Sequence, residues 1–345
     1  MSVFSTPPPN YSMAEAIGLV KTFYGIKVKA KPLDSERDQN FLVQNEHQSF
    51  VLKIFNPAEE YDVLDMQNKV LQYIVDRDTG FDLTLPIPSL RGEDIIKVEQ
   101  NGQSNWVRML KYIDGQFLRD SKHHDTMLFE LGAFLGRLDH AMEGFDHSAA
   151  KRDFPWDTRN LDFLRSHKHF IETNSEIVDY FLEQYESIVT VNESQLRKMV
   201  IHNDGNDYNV LQNDNGHISG IIDFGDMAHT FLASELAVAI TYLILEEAEP
   251  ETKIKSVVQG FQSVYPLRDE EIESLIHLVC VRACFSVVTA NYRKKLFPEN
   301  KYISVTEPYA WTFLKNFADK KLTMPPKSTW FDPKPLDGLV SYEFE

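Results

Sequence analysis

A polar loop between two apolar, strand-like stretches carries the residues of this sequence best suited to chemistry. The loop lies in VIHNDGNDYNVL, from His202 to Asn209, and the next apolar stretch, GIID, ends at Asp223. Turn-forming residues at 213–216 separate the two stretches and predict a hairpin, which would bring Asn209 and Asp223 together. An amide oxygen and a carboxylate are the hard oxygen ligands that Mg²⁺ prefers beside water and phosphate oxygens.

Asp204 stands on the same loop and adds a second chemical capability. Phosphoryl transfer needs metal ions that neutralise phosphate charge and a carboxylate that orients the acceptor hydroxyl and receives its proton. Asp204 can supply that carboxylate, with Asn209 and Asp223 as the metal ligands. Asp and Asn are also common turn formers, so a loop of this composition taken alone is more often an ordinary turn.

The order of these residues resembles two loops of a known fold. His-x-Asp, then Asn five residues after the Asp, and later Asp-Phe-Gly, is similar to the catalytic and metal-binding loops of protein-kinase-like phosphotransferases. The resemblance implies that Asp204 is the catalytic base and that His202 supports the loop. It also implies that Asn209 and Asp223 hold Mg²⁺, with ATP or GTP as co-substrate. Six positions matching in order favour this interpretation over the ordinary turn.

Lys53 lies in the strand-like stretch FVLKIF, which resembles the kinase strand whose lysine contacts the α- and β-phosphates. The usual partner of that lysine is a helix Glu. The best-aligned position here is Gln67, whose amide could hydrogen-bond Lys53 but could not neutralise it. The sequence leaves open whether Glu59, Glu60 or Asp65 takes the role, or whether the phosphates alone balance the lysine.

The other nucleotide contacts are expected from two loops. The stretch SERDQN stands where a kinase has its glycine-rich phosphate loop, and backbone amides or the side chains of Ser35 and Asn40 could cap phosphates there. An ordinary polar turn explains this stretch equally well. The stretch MLKYIDG falls where a kinase hinge should lie, so Met109 and Lys111 are expected to present backbone groups to a purine edge.

Longer stretches resemble the small-molecule branch of these kinases, which includes aminoglycoside phosphotransferases, choline kinases and type II homoserine kinases. DQNF, LGAFLGRL, GIIDFGDM and ELAVAI are similar to hydroxylysine kinase and its bacterial relatives. The resemblance implies a bilobal, protein-kinase-like α+β fold. Residues 1–110 would form a nucleotide-binding lobe with an antiparallel sheet and one helix, and residues 111–345 a larger, mainly helical lobe. Asn203 stands where relatives usually carry Gly, and Asn tolerates left-handed backbone angles.

By the same resemblance, the chain would move the γ-phosphoryl group of ATP or GTP to a hydroxyl of a small amino alcohol or amino acid similar to hydroxylysine. Asp207, Asp157 and Glu235 are candidates to bind a cationic ammonium group. Trp156 precedes Asp157 in a pair that resembles one in these relatives, although a buried Trp is more often a core residue.

Three alternatives stay open. A kinase of homoserine, choline, a sugar or an aminoglycoside would use the same apparatus, because the acceptor pocket is built from helices that the sequence does not map. A nucleotide-binding pseudokinase would act as a regulator; the missing helix Glu favours it, and the retained Lys53, Asp204, Asn209 and Asp223 disfavour it. A metal-dependent phosphohydrolase would use water as acceptor, but a second metal-ligand cluster is lacking.

The elements that must position these residues follow from hydrophobic periodicity. Alternating apolar residues predict strands at 41–43, 50–55, 95–98 and 106–110, with a turn at Asn101 and Gly102. Helical spacing predicts helices at 13–24, 63–76, 127–142 with Asp125 as N-cap, 233–247, 252–264, 269–295 with interruptions, and 306–320. The change from sheet to helix places a boundary near 110–115.

Composition excludes some partners. The chain has 345 residues, 43% of them hydrophobic, and 35 basic against 52 acidic residues give a net charge of −17. Such a charge repels nucleic acid and anionic membranes and suits a cationic or zwitterionic substrate, although an acidic surface more often serves solubility. We expect a monomer or homodimer.

Cysteine content and the chain start predict a cytoplasmic protein with reduced thiols. Cys280 and Cys284 share one face of an apolar helix and are expected to be core residues. The first ten residues lack the basic start and apolar stretch of a signal peptide, and we expect no run of about 18 apolar residues that could span a membrane.

Overall fold

The computed structural model describes residues 3–77, 79–100, 102–247 and 250–320, in which a strand-rich part precedes a helical part. The strands are β1 (Lys29–Leu33), β2 (Gln39–Gln44), β3 (Ser49–Ile54), β4 (Asp82–Leu83), β5 (Pro86–Ile87), β6 (Ile96–Gln100), β7 (Gln103–Lys111), β8 (Gln116–Phe117), β9 (Lys198–Ile201), β10 (Val210–Gln212), β11 (Ile218–Ile221) and β12 (Ala228–Phe231). The helices are α1 (Met13–Tyr24), α2 (Tyr61–Val75), α3 (Asp125–Met142), α4 (Leu161–His167), α5 (Ser175–Tyr185), α6 (Ala233–Ile244), α7 (Glu251–Val264), α8 (Asp269–Leu296) and α9 (Glu307–Lys320).

An antiparallel sheet in the order β1-β2-β3-β7-β5, with β6 also paired to β7, forms the strand-rich part. Its register sets Lys53 opposite Asn40 on one side and Arg108 on the other. Helix α1 covers the apolar face, where Val20 and Tyr24 join a buried cluster with sheet residues. The sheet therefore presents three polar side chains side by side on β2, β3 and β7.

Short strands bring the catalytic and metal-binding loops together. Strands β10 and β11 form the predicted hairpin, pair with β8 and β4, and close at a turn where the Gly216 N–H donates to Asn213. Strand β9 pairs with β12 in a separate ribbon. The loop between β9 and β10 and the loop after β11 consequently lie next to each other.

Helices α3 and α7 pack closely enough to require glycine. A Cβ atom on Gly132 would lie 1.9 Å from the Val257 carbonyl oxygen, and one on Gly260 would lie 1.9 Å from that of Phe129. Only hydrogen fits in such a contact. Part of the stretch LGAFLGRL is thus explained by helix packing.

Two sequence-based details of the helices are wrong. Helix α8 runs unbroken through 28 residues rather than with interruptions. His124, not Asp125, is the N-cap of α3, because the His124 Nδ1 accepts the Met127 N–H, and Asp125 is the first helical residue. The turn residue Asn101 lies outside the described residues. Cys280 and Cys284 are buried on α8, as expected.

Helix α8 also corrects the expectation about membrane spans. An 18-residue window within it has a mean hydropathy of 1.6, so one helix among the described residues is long and apolar enough to cross a membrane. However, 89% of that window is buried inside the protein, as in the central helix of a packed core.

Candidate active site

Hydrogen bonds fix the side chain of Asp204 on the loop between β9 and β10. The Asn206 Nδ2 donates to Asp204 Oδ1 at 2.7 Å, and the Asn209 Nδ2 donates to Asp204 Oδ2 at 2.7 Å. Asn209 is tied in turn to the next loop, because its carbonyl accepts the Ile222 N–H at 2.9 Å. The structure thus brings together Asp204, Asn209 and the residue before Asp223.

His202 supports this loop from inside. Its Nδ1 accepts the Asp204 N–H at 3.2 Å, which leaves Nε2 to donate to the Ile222 carbonyl at 3.1 Å. The ring is fully buried and lies 4.6 Å from the ring of Phe224. Burial lowers the pKa of His202 to about 4, so the imidazole is neutral near pH 7 and acts as a brace.

Glu235 lies buried against the backbone of the loop. Its side chain is fully buried on α6, and Oε2 accepts the Asn203 N–H at 2.9 Å. Asn203 adopts the left-handed conformation at φ 63°, and its Nδ2 donates to the Asp226 carbonyl at 3.1 Å. In this structure Glu235 anchors the loop backbone, and its binding of substrate stays a prediction. Burial raises the pKa of Glu235 to about 7.

Lys53 has carboxylate partners that differ from those considered in the sequence. Its Nζ lies 3.0 Å from Asp223 Oδ1 and 3.2 Å from Asp38 Oδ2. Gln67 is bonded to a different cation: its Oε1 accepts from Arg108 Nη2 at 2.8 Å. Asp38, from the loop before β2, thus takes the place expected for a helix residue.

Asp223 is held ionised at the end of β11. Its partial burial would raise its pKa, but the charge and hydrogen bond of Lys53, together with the charge of Arg37, hold the pKa well below its usual range. Its backbone is left-handed at φ 61°, and its side chain is 40% exposed. An ionised, accessible carboxylate suits a divalent cation.

The donors at this position fit Mg²⁺. The Asn209 Nδ2 is committed to Asp204, so its Oδ1 is the atom left to act as a ligand beside Asp223. No group of three or more His, Cys, Asp or Glu side chains able to hold a metal occurs within residues 3–77, 79–100, 102–247 and 250–320. A metal at Asn209 and Asp223 would therefore depend on phosphate oxygens and water, which is how Mg²⁺ is usually held with nucleotides.

Asp204 is also paired with a cation that sequence reasoning missed. Arg282 Nη2 from α8 lies 3.5 Å from Asp204 Oδ1. Burial and the charge of Asp226 raise the pKa of Asp204 to about 8, and Arg282 opposes that shift. The available signal was a single charge in the apolar stretch LVCVRACFSVV, because a charged group buried in a helix requires a partner.

The backbone N–H groups of the two expected hinge residues form hydrogen bonds within the protein. The Met109 N–H donates to the Tyr24 hydroxyl at 3.1 Å, and the Lys111 N–H donates to the Leu85 carbonyl at 2.8 Å. These two N–H groups are therefore not free for a purine edge. Ser35 is half-buried in the loop between β1 and β2, and Asn40 has a buried Oδ1 that has no hydrogen-bond partner among the described residues.

Two of the proposed substrate residues have structural partners. Asp157 is 5% exposed, pairs with Arg159 at 2.7 Å and accepts from the Thr230 hydroxyl at 2.6 Å. Both oxygens of Asp157 are thus engaged within the protein, and its binding of a substrate ammonium stays a prediction. Trp156 is half-buried and lies over Arg282, with the ring centre 4.4 Å from Cζ.

A cleft opens beside the catalytic loop and includes Asp207. It is lined by Arg119, Asp207, Tyr208, Tyr242, Glu246 and Tyr309, among others. Arg119 lies 3.8 Å from Asp207 and packs over the Tyr208 ring at 4.4 Å. The Tyr242 ring is also 5.7 Å from Arg282 Cζ, so one wall of the cleft leads to the partner of Asp204.

Comparisons with known proteins find a matching family and similar sequences. The family described as "Phosphotransferase enzyme family" matches residues 29–269. Hydroxylysine kinase of Mus musculus is 31% identical over 342 residues, covering 90% of this chain and 90% of that protein. Homoserine kinase of Agrobacterium fabrum is 24% identical, covering 77% of this chain and 78% of that protein.

Solved structures show the same fold. An amicoumacin kinase in complex with AMP-PNP, Ca²⁺ and Ami has a TM-score of 0.71 at 15% identity, covering 91% of this chain and 96% of that one. A microcompartment-associated aminopropanol kinase has a TM-score of 0.69 at 16% identity, covering 89% of this chain and 98% of that one. The expected protein-kinase-like α+β fold is confirmed. On the extent of these matches, this chain belongs to the phosphotransferase enzyme family.

Proposed function

We propose that this enzyme moves the γ-phosphoryl group of ATP or GTP to a hydroxyl of a small amino acid or amino alcohol similar to hydroxylysine. The observation that carries the proposal is Asp204, held by Asn206 and Asn209 next to the ionised Asp223. The likeness to hydroxylysine kinases over most of the chain supports the acceptor class.

In its ionised form, which Arg282 favours by opposing the rise of its pKa, Asp204 accepts the proton of the acceptor hydroxyl. Its two hydrogen-bonded amides fix the carboxylate in one orientation, so a hydroxyl that binds beside it is aligned for attack. Lys53 is placed to contact the phosphates, because it already lies beside Asp223. A Mg²⁺ ion held by Asn209 and Asp223 would neutralise phosphate charge when bound.

The cleft beside the loop is the proposed acceptor site. Glu246 is exposed and offers a carboxylate to an ammonium group. Asp207 and Arg119 pair with each other at 3.8 Å, so each would exchange this partner for a charge of the acceptor, Asp207 for an ammonium group and Arg119 for a carboxylate. A zwitterionic acceptor finds a partner for each of its charges there. We place the enzyme in the cytoplasm, as a monomer or homodimer, with residues 1–110 as the nucleotide-binding lobe and residues 111–345 as the helical lobe.

The test is a coupled nucleoside-diphosphate release assay with ATP and with GTP, each plus Mg²⁺. The acceptors are 5-hydroxylysine, homoserine, choline, ethanolamine and aminoglycosides. Stimulation by one acceptor, lost in Asp204→Asn while nucleotide still binds, is the expected result. Equal turnover by Asp204→Asn would remove Asp204 as the base. Nucleotide binding without turnover of any acceptor would favour a pseudokinase.

A further inference from the structure

We propose that Arg37 is a phosphate-contacting residue that recognises the terminal phosphate of the nucleotide. The inference rests on the proposed phosphotransfer, because it concerns the same nucleotide. It assigns a role to the loop between β1 and β2, which occupies the place of a glycine-rich phosphate loop and contains no glycine. Without glycine, that loop is poorly suited to bring its backbone against a phosphate, and a side-chain cation can do so instead.

The loop is anchored on both sides of Arg37. Glu36 forms an ion pair with Arg293 from α8. Asp38 accepts the Asn56 N–H at 2.9 Å, and the Asn56 Nδ2 donates to the Arg37 carbonyl at 3.1 Å. The backbone around Arg37 is therefore fixed from the helical part and from the sheet, and the position of its side chain is defined before nucleotide binds.

The guanidinium lies at the junction of the two loops that carry the chemistry. Arg37 Nη2 pairs with Asp226, three residues after the metal-ligand candidate Asp223. The carbonyl of Asp226 accepts from Asn203, the neighbour of Asp204. The group to be transferred must lie between the base and the metal, so Arg37 is at the terminal-phosphate end of the site.

One aromatic ring packs against the guanidinium, and a second ring packs against the first. The ring of Phe4 lies 5.3 Å from Arg37 Cζ, and Phe4 is 2% exposed with its ring 6.0 Å from that of Phe154. The Arg37 side chain itself is 20% exposed. Arg37 is thus held by Asp226 and an aromatic face, while part of it stays open to solvent.

A guanidinium can serve a carboxylate and a phosphate at once. Its N–H donors lie in a plane, so one edge can stay on Asp226 while another is offered to phosphate oxygens. Lys53 and Arg37 both act on Asp223 in the present arrangement. A bound Mg²⁺-nucleotide would bring phosphate anions to the same two cations. Because these cations are already in position, little reorganisation would be needed and the nucleotide would bind more tightly.

The experiment compares the binding of ADP and of a non-hydrolysable ATP analogue, each with Mg²⁺, by calorimetry on the full chain. The variants are Arg37→Met, Arg37→Lys and Asp226→Asn. Lys31→Met is the matched control, because it removes one exposed positive charge from the same hairpin. Circular dichroism and thermal unfolding establish that each variant is folded.

We expect Arg37→Met to weaken the ATP analogue by about tenfold or more and ADP by less than about threefold, because a hydrogen bond to a charged phosphate is lost only from the former. Arg37→Lys, which keeps the charge and protects the fold, should weaken the analogue by about threefold to tenfold and leave ADP nearly unchanged. Asp226→Asn should still bind the ATP analogue more tightly than ADP. Lys31→Met should change the affinity for neither nucleotide.

If Arg37→Met weakened the binding of ADP and of the ATP analogue equally, and Asp226→Asn did the same, the Arg37–Asp226 pair would be purely structural. That result would overturn the inference. Unchanged binding in both Arg37 variants would overturn it as well, while leaving the proposed function intact. Failure of the wild-type chain to bind either nucleotide would overturn both, and the acceptor assay with Asp204→Asn separates that case from the others.

Discussion

Arg282 on α8 pairs with Asp204 on the catalytic loop across 78 positions of sequence, with Nη2 3.5 Å from Oδ1. The Arg282 side chain is 2% exposed and that of Asp204 is 21% exposed, so water screens this pair poorly. Arg282 Nη1 also donates to the Trp156 carbonyl at 3.0 Å. The central core helix therefore contributes directly to the surroundings of the candidate base.

Arg282→Met is expected to lower kcat by about tenfold or more, because the carboxylate of Asp204 loses the cation that orients it. Nucleotide affinity should change by less than about threefold, since Lys53 is held by Asp38 and Asp223 and Arg282 pairs with Asp204. The kcat of Arg282→Lys should lie between those of the wild type and Arg282→Met, because an ammonium cannot reproduce the planar arrangement of donors to Asp204 and Trp156. Steady-state kinetics with varied acceptor separate kcat from KM.

Lys294→Met is the control for Arg282. It removes a cation from the same helix, where the Lys294 side chain is 42% exposed and pairs with Glu307. Its kcat should equal that of the wild type. Normal kcat in a folded Arg282→Met enzyme would mean that the pair with Asp204 has no part in turnover.

Asp223→Asn is expected to remove most of the Mg²⁺-dependent part of nucleotide binding. The neighbouring Lys53 and Arg37 keep the Asp223 carboxylate ionised, and a neutral amide is a much weaker ligand for Mg²⁺. Calorimetry with Mg²⁺ and with a chelator measures the effect: the variant should bind nucleotide almost equally under both conditions. Asp214→Asn, in the exposed turn of the same hairpin, is the control. Wild-type Mg²⁺ dependence in Asp223→Asn would place the metal elsewhere.

The sequence predicted what local patterns determine. Alternating and helical periodicity located the strands around Lys53 and the helices α1, α2 and α3, because each element must place its apolar side chains on one face. The hairpin that joins Asn209 to Asp223 was predicted from the turn-forming residues between its two strands, which are close in sequence. These features depend on neighbours within about 20 residues along the chain.

The partners of the site residues could not be predicted, because they depend on side-chain orientation and on how distant elements pack. Asp38 stands just before β2, whose register sets Asn40 opposite Lys53, but hydrophobic periodicity does not show that the Asp38 side chain turns toward the lysine. Gln67 serves Arg108 because β7 sets Arg108 beside Lys53. Glu235 follows the recognisable metal-binding loop, but only the packing of α6 under Asn203 shows that it anchors backbone.

Asp139→Asn is expected to make the stability of the protein less dependent on pH. Asp139 is fully buried on α3, and neither carboxylate oxygen has a hydrogen-bond partner in the part of the chain that the structure describes. Burial and the charge of Glu235 raise the pKa of Asp139 well above its usual range. The folded state keeps this proton, while the unfolded state loses it above about pH 4.

Because the folded state binds more protons, the free energy of unfolding attributable to Asp139 should fall as pH rises from about 4 toward the raised pKa. Asn keeps the shape and cannot ionise, so Asp139→Asn should be more stable than the wild type at pH 8 and similar to it at pH 4. Urea titrations across that range measure the difference. Asp162→Asn, at a carboxylate 96% exposed, should follow the wild-type curve. A variant at Asp139 with the wild-type pH profile would mean that this carboxyl titrates normally.

Gly260→Ala and Gly18→Ala are expected to change stability in opposite directions. A Cβ atom at Gly260 on α7 would lie 1.9 Å from the Phe129 carbonyl oxygen of α3. Backbone cannot yield as a flexible side chain can, so α3 and α7 must separate, at a cost of about 2–3 kcal/mol or more. At Gly18, on the exposed side of α1, a Cβ meets nothing within 4 Å, and Ala should stabilise the helix by about 0.5–1 kcal/mol.

The separation of α3 from α7 should also reach the catalytic loop. Leu135 on α3 lies 3.0 Å from the position of a Cβ on Gly205, next to Asp204. Gly260→Ala is therefore expected to lower kcat together with the free energy of unfolding, whereas Gly18→Ala raises only the latter. Urea unfolding and steady-state kinetics on both variants measure the two effects. Equal stability of the two variants would mean that α3 and α7 are not in backbone contact, because a Cβ placed 1.9 Å from a carbonyl oxygen cannot be accommodated without moving a helix.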